Sequence, residues 1–367
     1  VLRKAGNEMI NKNEEIKFKE IKRVSPSQFF SMKNCAYKSL LAEAFDKKPL
    51  LPISPNAYFG TVLHKILELI VKGVLKSEDD FNTAFDKQIK AIEEELQENV
   101  FDFFVPLQKK VRNFGLKKVQ LRKKLIGKLE RQTKLGTVRF HSEKWFESKD
   151  KLIGGKVDLV IENDDSIEII DFKIGAITRD CLYDEGASFS VIKNEYKAQL
   201  KIYAYLYFEN TGKFPTSLSL VNLAKQKFSI EFTREECKKI YDEAKIFLTT
   251  INGSINTKLF SVNPTEENCR YCLYRPACSF FQEKLEMGFS FGDVWGKIKE
   301  VRKFHNGNVS VFLQNGENNL IIKNFNSDTY EEFNNHKNKK IYIYNVRKEA
   351  IDFVYSASEI TMIYESK

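Results

Sequence analysis

A chain of 367 residues, 42% hydrophobic and 30% charged, is long enough for two or three domains with real cores and too apolar to be disordered. Its net charge of +9 is moderate, so where the charge lies matters more than its total. No apolar run approaches the ~18 residues of a membrane span, no signal-peptide pattern opens the chain, and no G-x-x-x-x-G-K-[ST] loop is present. A helical membrane protein and a P-loop motor are thereby disfavoured, and the expected location is cytoplasmic.

Residues 1–24 are polar, charged and aperiodic, and read as a tail or linker. Ser25-Pro26-Ser27 then supplies an N-cap and a proline for the first turn of a short helix carrying Phe29, Phe30 and Cys35. After the turn-rich stretch 49–56 a second helix starts near Ala57, with Val62, Leu63, Ile66, Leu67 and Ile70 at helical spacing. His64 lies on it four residues after Gly60, hence on the same face. A lone helical His is ordinarily structural. A Gly, however, costs a helix about 1 kcal/mol relative to Ala, and close approach to a metal or phosphate is one reason to keep it.

Residues 76–135 read as long helices. Within them, positions 108–134 carry eleven Lys or Arg against the single acid Glu130, interleaved with Val111, Leu116, Val119, Leu121, Leu125 and Leu129. That pattern predicts a docked helix with a basic outer side. Lys117, Lys118, Arg122, Lys123 and Lys124 are its candidates for holding a nucleic-acid backbone without reading sequence.

The stretch from Lys151 to Gly175, KLIGGKVDLVIENDDSIEIIDFKIG, organises the rest. Two runs rich in Val and Ile flank the turn cluster Asn163-Asp164-Asp165-Ser166, which predicts a β-hairpin. If the loop is symmetric about Asp164-Asp165, paired residues have numbers totalling 329, and Asp158 faces Asp171. Like charges directly opposed in a sheet are destabilising, and carboxylates among apolar neighbours are rare unless paired or metal-bound. Lys173, two positions beyond Asp171, shares its face. Two acids and a lysine on one patch point to a hydrolytic metal site; the bland alternative is a polar surface hairpin. The same register sets Lys156 against Lys173, a repulsion that a splay or bulge would have to relieve.

Positions 176–192 read as an irregular connection, and 193–210 as a strong helix ending at Thr211-Gly212. Gln199 and Tyr203 stand four apart on one face of that helix among apolar neighbours. Residues 214–232 read as two more strands, followed by a helix from Arg234 to about Thr250. Of six cysteines, Cys269, Cys272 and Cys278 form C-x2-C-x5-C, which is ligand spacing. Three thiolates need a fourth partner, for which Cys35 is the best candidate; zinc and an iron–sulfur cluster both accept four cysteines. Cys181 and Cys237 have no partner spacing and read as structural thiols.

In this order the pieces resemble the iron–sulfur branch of the PD-(D/E)XK nucleases, the RecB/AddB type also found in CRISPR-associated exonucleases. They are Cys35, Gly60 to His64, Gly155 to Asp158, Asp171-Phe172-Lys173, Gln199-x3-Tyr203, and the cysteine run. The resemblance spans residues 25 to about 285. It implies an α/β, restriction-endonuclease-like core in which His64, Asp158, Asp171 and the Phe172 carbonyl hold Mg²⁺ or Mn²⁺. Lys173 would orient water or stabilise charge, with Gln199 and Tyr203 supporting the site. It also implies a 4Fe–4S cluster on Cys35, Cys269, Cys272 and Cys278. The long basic insertion between His64 and Asp158 departs from the pattern.

From Phe291 onward short strands take over: 294–304, 308–314 and 319–323, a helix at 329–336, then strands at 340–345 and 351–355. That order is the order of an OB-fold barrel, with Trp295, Phe304, Tyr342 and Tyr344 as stacking candidates or, equally, as interior residues. The expected organisation is a tail (1–24), a nuclease domain (25–288) with a helical insertion at about 76–135, and an OB-like barrel (289–367). The expected function is metal-dependent hydrolysis of DNA, on single strands or duplex ends, in repair, recombination or defence beside a helicase. A catalytically idle DNA-binding scaffold is the alternative, and a zinc-stapled interaction protein would need neither His64 nor the acid pair.

Overall fold

A computed structural model describes residues 16–71, 73–98, 101–129, 139–182, 188–222 and 226–365. The chain begins with α1 (Pro26–Asn34) and α2 (Ala36–Ala44), and Cys35 lies between them in extended backbone rather than inside a helix. α3 (Pro55–Val71) leads into the insertion, made of α4 (Glu78–Glu98), α5 (Leu107–Lys110) and α6 (Phe114–Leu129). Next come β1 (Arg139–Glu147), β2 (Gly154–Glu162), β3 (Ile167–Lys173), β4 (Thr178–Leu182) and β5 (Ser188–Ile192). The stretch read as irregular, 176–192, is thus largely a second hairpin. α7 (Asn194–Thr211) crosses over to β6 (Ser217–Asn222) and β7 (Lys227–Ile230). It ends at Gly212, whose φ of +74° suits a residue without Cβ. α8 (Arg234–Thr257) opens on a capping box between Thr233 and Glu236.

The central sheet has the order β1-β2-β3-β6-β7, with β3 and β6 parallel across the α7 crossover. Its apolar residues Val157, Val160, Ile167 and Ile169 pack with Leu200 and Tyr207 of α7 and with Tyr241 and Leu248 of α8. A separate core joins α3 to the insertion through Phe59, Leu63, Phe81, Phe85, Leu121 and Leu125, and Phe172 packs against it. The C-terminal end of β3 is therefore wedged between the two cores. Residues 16–24, read as tail, also run against this domain. Ile21 and Val24 are buried, and the Val24 amide donates to the Leu152 carbonyl at 2.9 Å.

Two short helices carry the cysteine run, α9 (Glu266–Cys269) and α10 (Ser279–Glu286). The C-terminal unit follows: β8 (Val294–Lys303), β9 (Val309–Asn315), β10 (Asn318–Phe325), α11 (Thr329–Asn335), β11 (Lys340–Tyr344), β12 (Arg347–Lys348), β13 (Val354–Ser356) and β14 (Met362–Glu365). Its strands form one sheet, β12-β13-β10-β9-β8-β11-β14, curled into a half-barrel in which β10 and β13 are parallel. Tyr342 and Tyr344 are buried in the core shared with the cysteine module, so neither is free to stack on a base. Phe304 remains exposed.

Candidate functional site

The turn is built by one side chain. Asn163 Oδ1 accepts from the amides of Asp165 and Ser166 at 3.2 and 2.6 Å and from the Ser166 hydroxyl at 2.7 Å, an Asx turn that fixes the loop. The pairs Leu159–Ile170, Val160–Ile169, Ile161–Glu168 and Glu162–Ile167 give the anticipated register, and continuing it sets Asp158 across from Asp171. The ladder stops at Leu159–Ile170. Beyond it β2 keeps β1 as neighbour and β3 keeps β6, so Lys156 and Lys173 part instead of repelling.

Asp171 is 4% exposed. Its Oδ1 accepts from Gln199 Nε2 at 2.7 Å, while Gln199 Oε1 accepts from Lys173 Nζ at 2.8 Å. One amide, donor at one end and acceptor at the other, locks acid and lysine together. Lys173 Nζ also lies 2.7 Å from Asp171 Oδ2. That contact is an ion pair without hydrogen-bond angles, so Oδ2 is a buried oxygen with no hydrogen bond. Asp158 Oδ2 accepts from the Phe172 amide at 2.7 Å. Burial first, then the Asp171 charge, push the Asp158 carboxyl well above the usual carboxylate range, and the Phe172 amide only partly opposes them.

Tyr203 donates to the Lys156 carbonyl at 2.9 Å, fixing the backbone of β2 rather than touching the acids. The approach is so close that a Cβ on Gly155 would lie 2.8 Å from Pro26 Cδ and 3.0 Å from the Tyr203 oxygen. Glycine is required there. His64 stands within electrostatic reach of Asp171, Lys173 and Glu143. Burial lowers its pKa, which keeps a ring nitrogen free to ligate. A Cβ on Gly60 would meet nothing within 4 Å, so no described protein atom demands that glycine.

Two neighbours escaped the sequence reading. Tyr196, three residues before Gln199, presents its ring 4.5 Å below Lys173 Nζ, and its i, i+3 spacing was the available signal. Glu143 lies opposite Asp158 on β1, between the pairs Ser142–Leu159 and Lys144–Val157, with a φ of +53° that breaks the alternation a strand reading needs.

The arrangement is an acid pair, a lysine locked to one acid, and a histidine above them at the end of a mixed sheet. The sequence matches the PD-(D/E)XK nuclease superfamily over residues 23–279, about two thirds of the chain. The chain belongs to that superfamily. Among solved structures, a candidate exonuclease from Eubacterium rectale is similar at 12% identity and a TM-score of 0.41, covering 71% of this chain and 88% of that one. A murine DNA-binding protein bound to double-stranded DNA is similar at 8% identity and a TM-score of 0.18, covering 62% and 95%. Likenesses at these scores carry no argument. No curated protein gives a significant match.

Elsewhere in this PD-(D/E)XK chain, Cys35, Cys269, Cys272 and Cys278 line a single cavity of about 20 Å³, with Tyr37, Leu41 and Phe281. Burial is the first cause that pushes the Cys269 and Cys278 thiols up to about 12. Cys237 stands apart, buried in the first turn of α8, and is likewise pushed up to about 12, burial being the first cause. The Cys181 side chain lies outside the described residues. Among the described residues, no three His, Cys, Asp or Glu side chains stand in metal-holding geometry. At the acid pair the carboxylate oxygens contact Lys173, Gln199 and the Phe172 amide.

The basic helix α6 is docked by Leu121 and Leu125, but Leu116 and Val119 face outward instead of into the core. Lys118 and Arg122 are partly neutralised by α4, at 3.3 Å from Asp86 and 3.6 Å from Glu78. Lys117 lies 5.9 Å from the Phe59 ring and Lys123 is exposed. Lys124 reaches the site itself, 3.2 Å from the Asn222 carbonyl and 5.3 Å from the Phe172 ring. Positions 130–134 of the basic stretch lie outside the described residues.

Proposed function

We propose that this protein is a Mg²⁺- or Mn²⁺-dependent nuclease that hydrolyses phosphodiester bonds in DNA, on single strands or duplex ends. The observation that carries the reading is the buried Asp171 set across from Asp158, with Oδ1 held by Gln199 and Oδ2 left to the Lys173 ammonium alone. Buried carboxylates opposed to each other call for more positive charge than one lysine supplies. Asp158, Asp171, the neutral His64 ring and the Phe172 carbonyl form an oxygen-rich donor set that suits those ions. A bound divalent ion would lower the pKa of water and neutralise charge developing on the phosphate.

The chain's own residues do the rest. Gln199 keeps Lys173 aimed along the acid pair, where it places a point charge beside the reacting phosphate. Tyr196 covers the same ammonium, and Tyr203 with Gly155 fixes the strand that carries Asp158. The four cysteines hold a metal centre that ties the beginning of the domain to its end. The resemblance favours 4Fe–4S, and four cysteines lining one cavity suit either it or zinc as ligand types. The half-barrel is read as an OB-like unit, supported by its strand order and its parallel β10–β13 pair. The test is incubation of end-labelled single- and double-stranded DNA with the purified protein and Mg²⁺ or Mn²⁺. Cleavage that EDTA abolishes is expected; none on any DNA with either ion would overturn the reading.

A further inference from the structure

The hairpin carries a second lysine that the acid pair does not use. Lys156 stands two residues before Asp158, as Lys173 stands two after Asp171, so the sequence across the turn is lysine-acid then acid-lysine. Where the β2–β3 ladder ends, the two lysines enter different surroundings. Lys173 is 16% exposed and bound to Asp171 and Gln199. Lys156 is 52% exposed, with its ammonium 3.1 Å from Glu143, a carboxylate itself only 16% exposed.

Everything beneath that ammonium is fixed. Tyr203 holds the Lys156 carbonyl, Gly155 is pressed between Tyr203 and Pro26, and the β1–β2 ladder continues past Lys156 to Glu147–Gly154. Glu143 faces Asp158 with a left-handed backbone that L residues rarely adopt, the kind of conformation that collects at working sites. A nucleic-acid strand laid with one phosphate at the acid pair brings further phosphates along the same edge of the sheet. A flexible, half-exposed lysine is suited to meet one as a point charge.

We propose that Lys156 binds a backbone phosphate beside the scissile one, leaving Glu143 to do so, and that Glu143 is the positioning residue that holds Lys156 extended until the strand arrives. This rests on the nuclease reading. Lys156 sets affinity, whereas Lys173 serves the reaction.

The test uses the full chain carrying Asp171→Ala, which separates binding from cleavage, and a fluorescent single-stranded oligonucleotide titrated at several salt concentrations. Adding Lys156→Ala should lower the slope of log K against log salt by about 0.7, and Lys156→Arg should restore it. Glu143→Gln, which frees the ammonium, should tighten binding and keep the slope. In protein with Asp171 intact, Lys156→Ala should act on KM more than on kcat. A slope indifferent to Lys156, or a loss confined to kcat, overturns the inference. So does a Glu143→Gln protein that binds as weakly as Lys156→Ala. Wild type that cleaves and an Asp171→Ala parent that binds, with Lys156 silent in both, refute this inference alone; wild type that neither binds nor cleaves refutes the nuclease reading with it.

Discussion

The acid pair and the cysteine cavity are both buried gatherings of like groups, and they are kept in opposite ways. The carboxylates at Asp158 and Asp171 are surrounded by donors: Lys173, Gln199 and the Phe172 amide. The thiols share a cavity lined by Tyr37, Leu41 and Phe281 as well as Lys38 and Arg275, and burial first, with the neighbouring sulfurs after it, favours their neutral form. A carboxyl ionises at ordinary pH unless its pKa is moved far, whereas a thiol has only to remain protonated. A buried acid pair must therefore be built with its counter-charges in place. A thiol cluster can fold neutral and give up its protons when metal binds.

Substitutions at the acid pair should have the largest effect on activity. Asp171→Ala and Lys173→Ala should each lower DNA cleavage about a hundredfold or more in a gel assay with Mg²⁺. Lys173→Ala also strands Asp171, and should cost about 3 kcal/mol of stability in metal-free protein. Mg²⁺ should recover part of that in a thermal melt; a Lys173→Ala protein as active as wild type would refute the assignment.

Cys35→Ser probes the other gathering. If the four cysteines share one metal centre, its loss opens a very long loop, worth about 5 kcal/mol by analogy with a disulfide. Metal content, the broad absorbance near 400 nm expected of an iron–sulfur centre, and resistance to proteolysis should then fall together. Stoichiometric zinc in colourless, anaerobically purified protein would keep the tie and exclude the iron–sulfur assignment.

Gly155→Ala should come next, at about 1–3 kcal/mol from overpacking, because the new methyl meets Pro26 and the Tyr203 oxygen. Cleavage should drop with stability, and Tyr203→Phe should relieve none of the crowding against Pro26. The smallest effect belongs to Cys237, a buried thiol outside both gatherings. Its folded pKa is raised from 9.0 to about 12. The contribution is therefore fully present below pH 9 and lost as pH rises toward 12. Cys237→Ala should flatten the loss of melting temperature across that window, and identical slopes would show that other groups govern it.

The register of the hairpin was legible because it depends on a local turn: Asn163 and Ser166 fix the loop, and counting outward from it reaches Asp158 and Asp171. Gln199 and Tyr203 were legible because helical spacing is local too. Of the C-terminal strands β8 to β11 and part of β13 were legible, whereas β12 and β14 were not, nor was it legible which tyrosines would be buried. Glu143 and Tyr196 were missed for different reasons, one on a strand whose alternation a positive φ interrupts, the other submerged in a tyrosine-rich helix. The acid partners of Lys118 and Arg122 sit on a different helix, and spacing along one helix cannot show them.

A buried guanidinium joins the cysteine loop to the half-barrel. Arg275, 3% exposed, donates to the carbonyls of Cys269, Arg270 and Cys272, to the Asp293 carboxylate, and to Asn345 at the end of β11. Tyr364 of β14 likewise donates to the Leu50 carbonyl of the first domain. The change of texture near residue 289 therefore marks no place where the protein can be cut. A truncation there would remove the counter-ion of a charge that has no water to replace it, and would bare the tyrosine-lined wall behind the cysteines. Cutting there should therefore leave each part less stable than the whole.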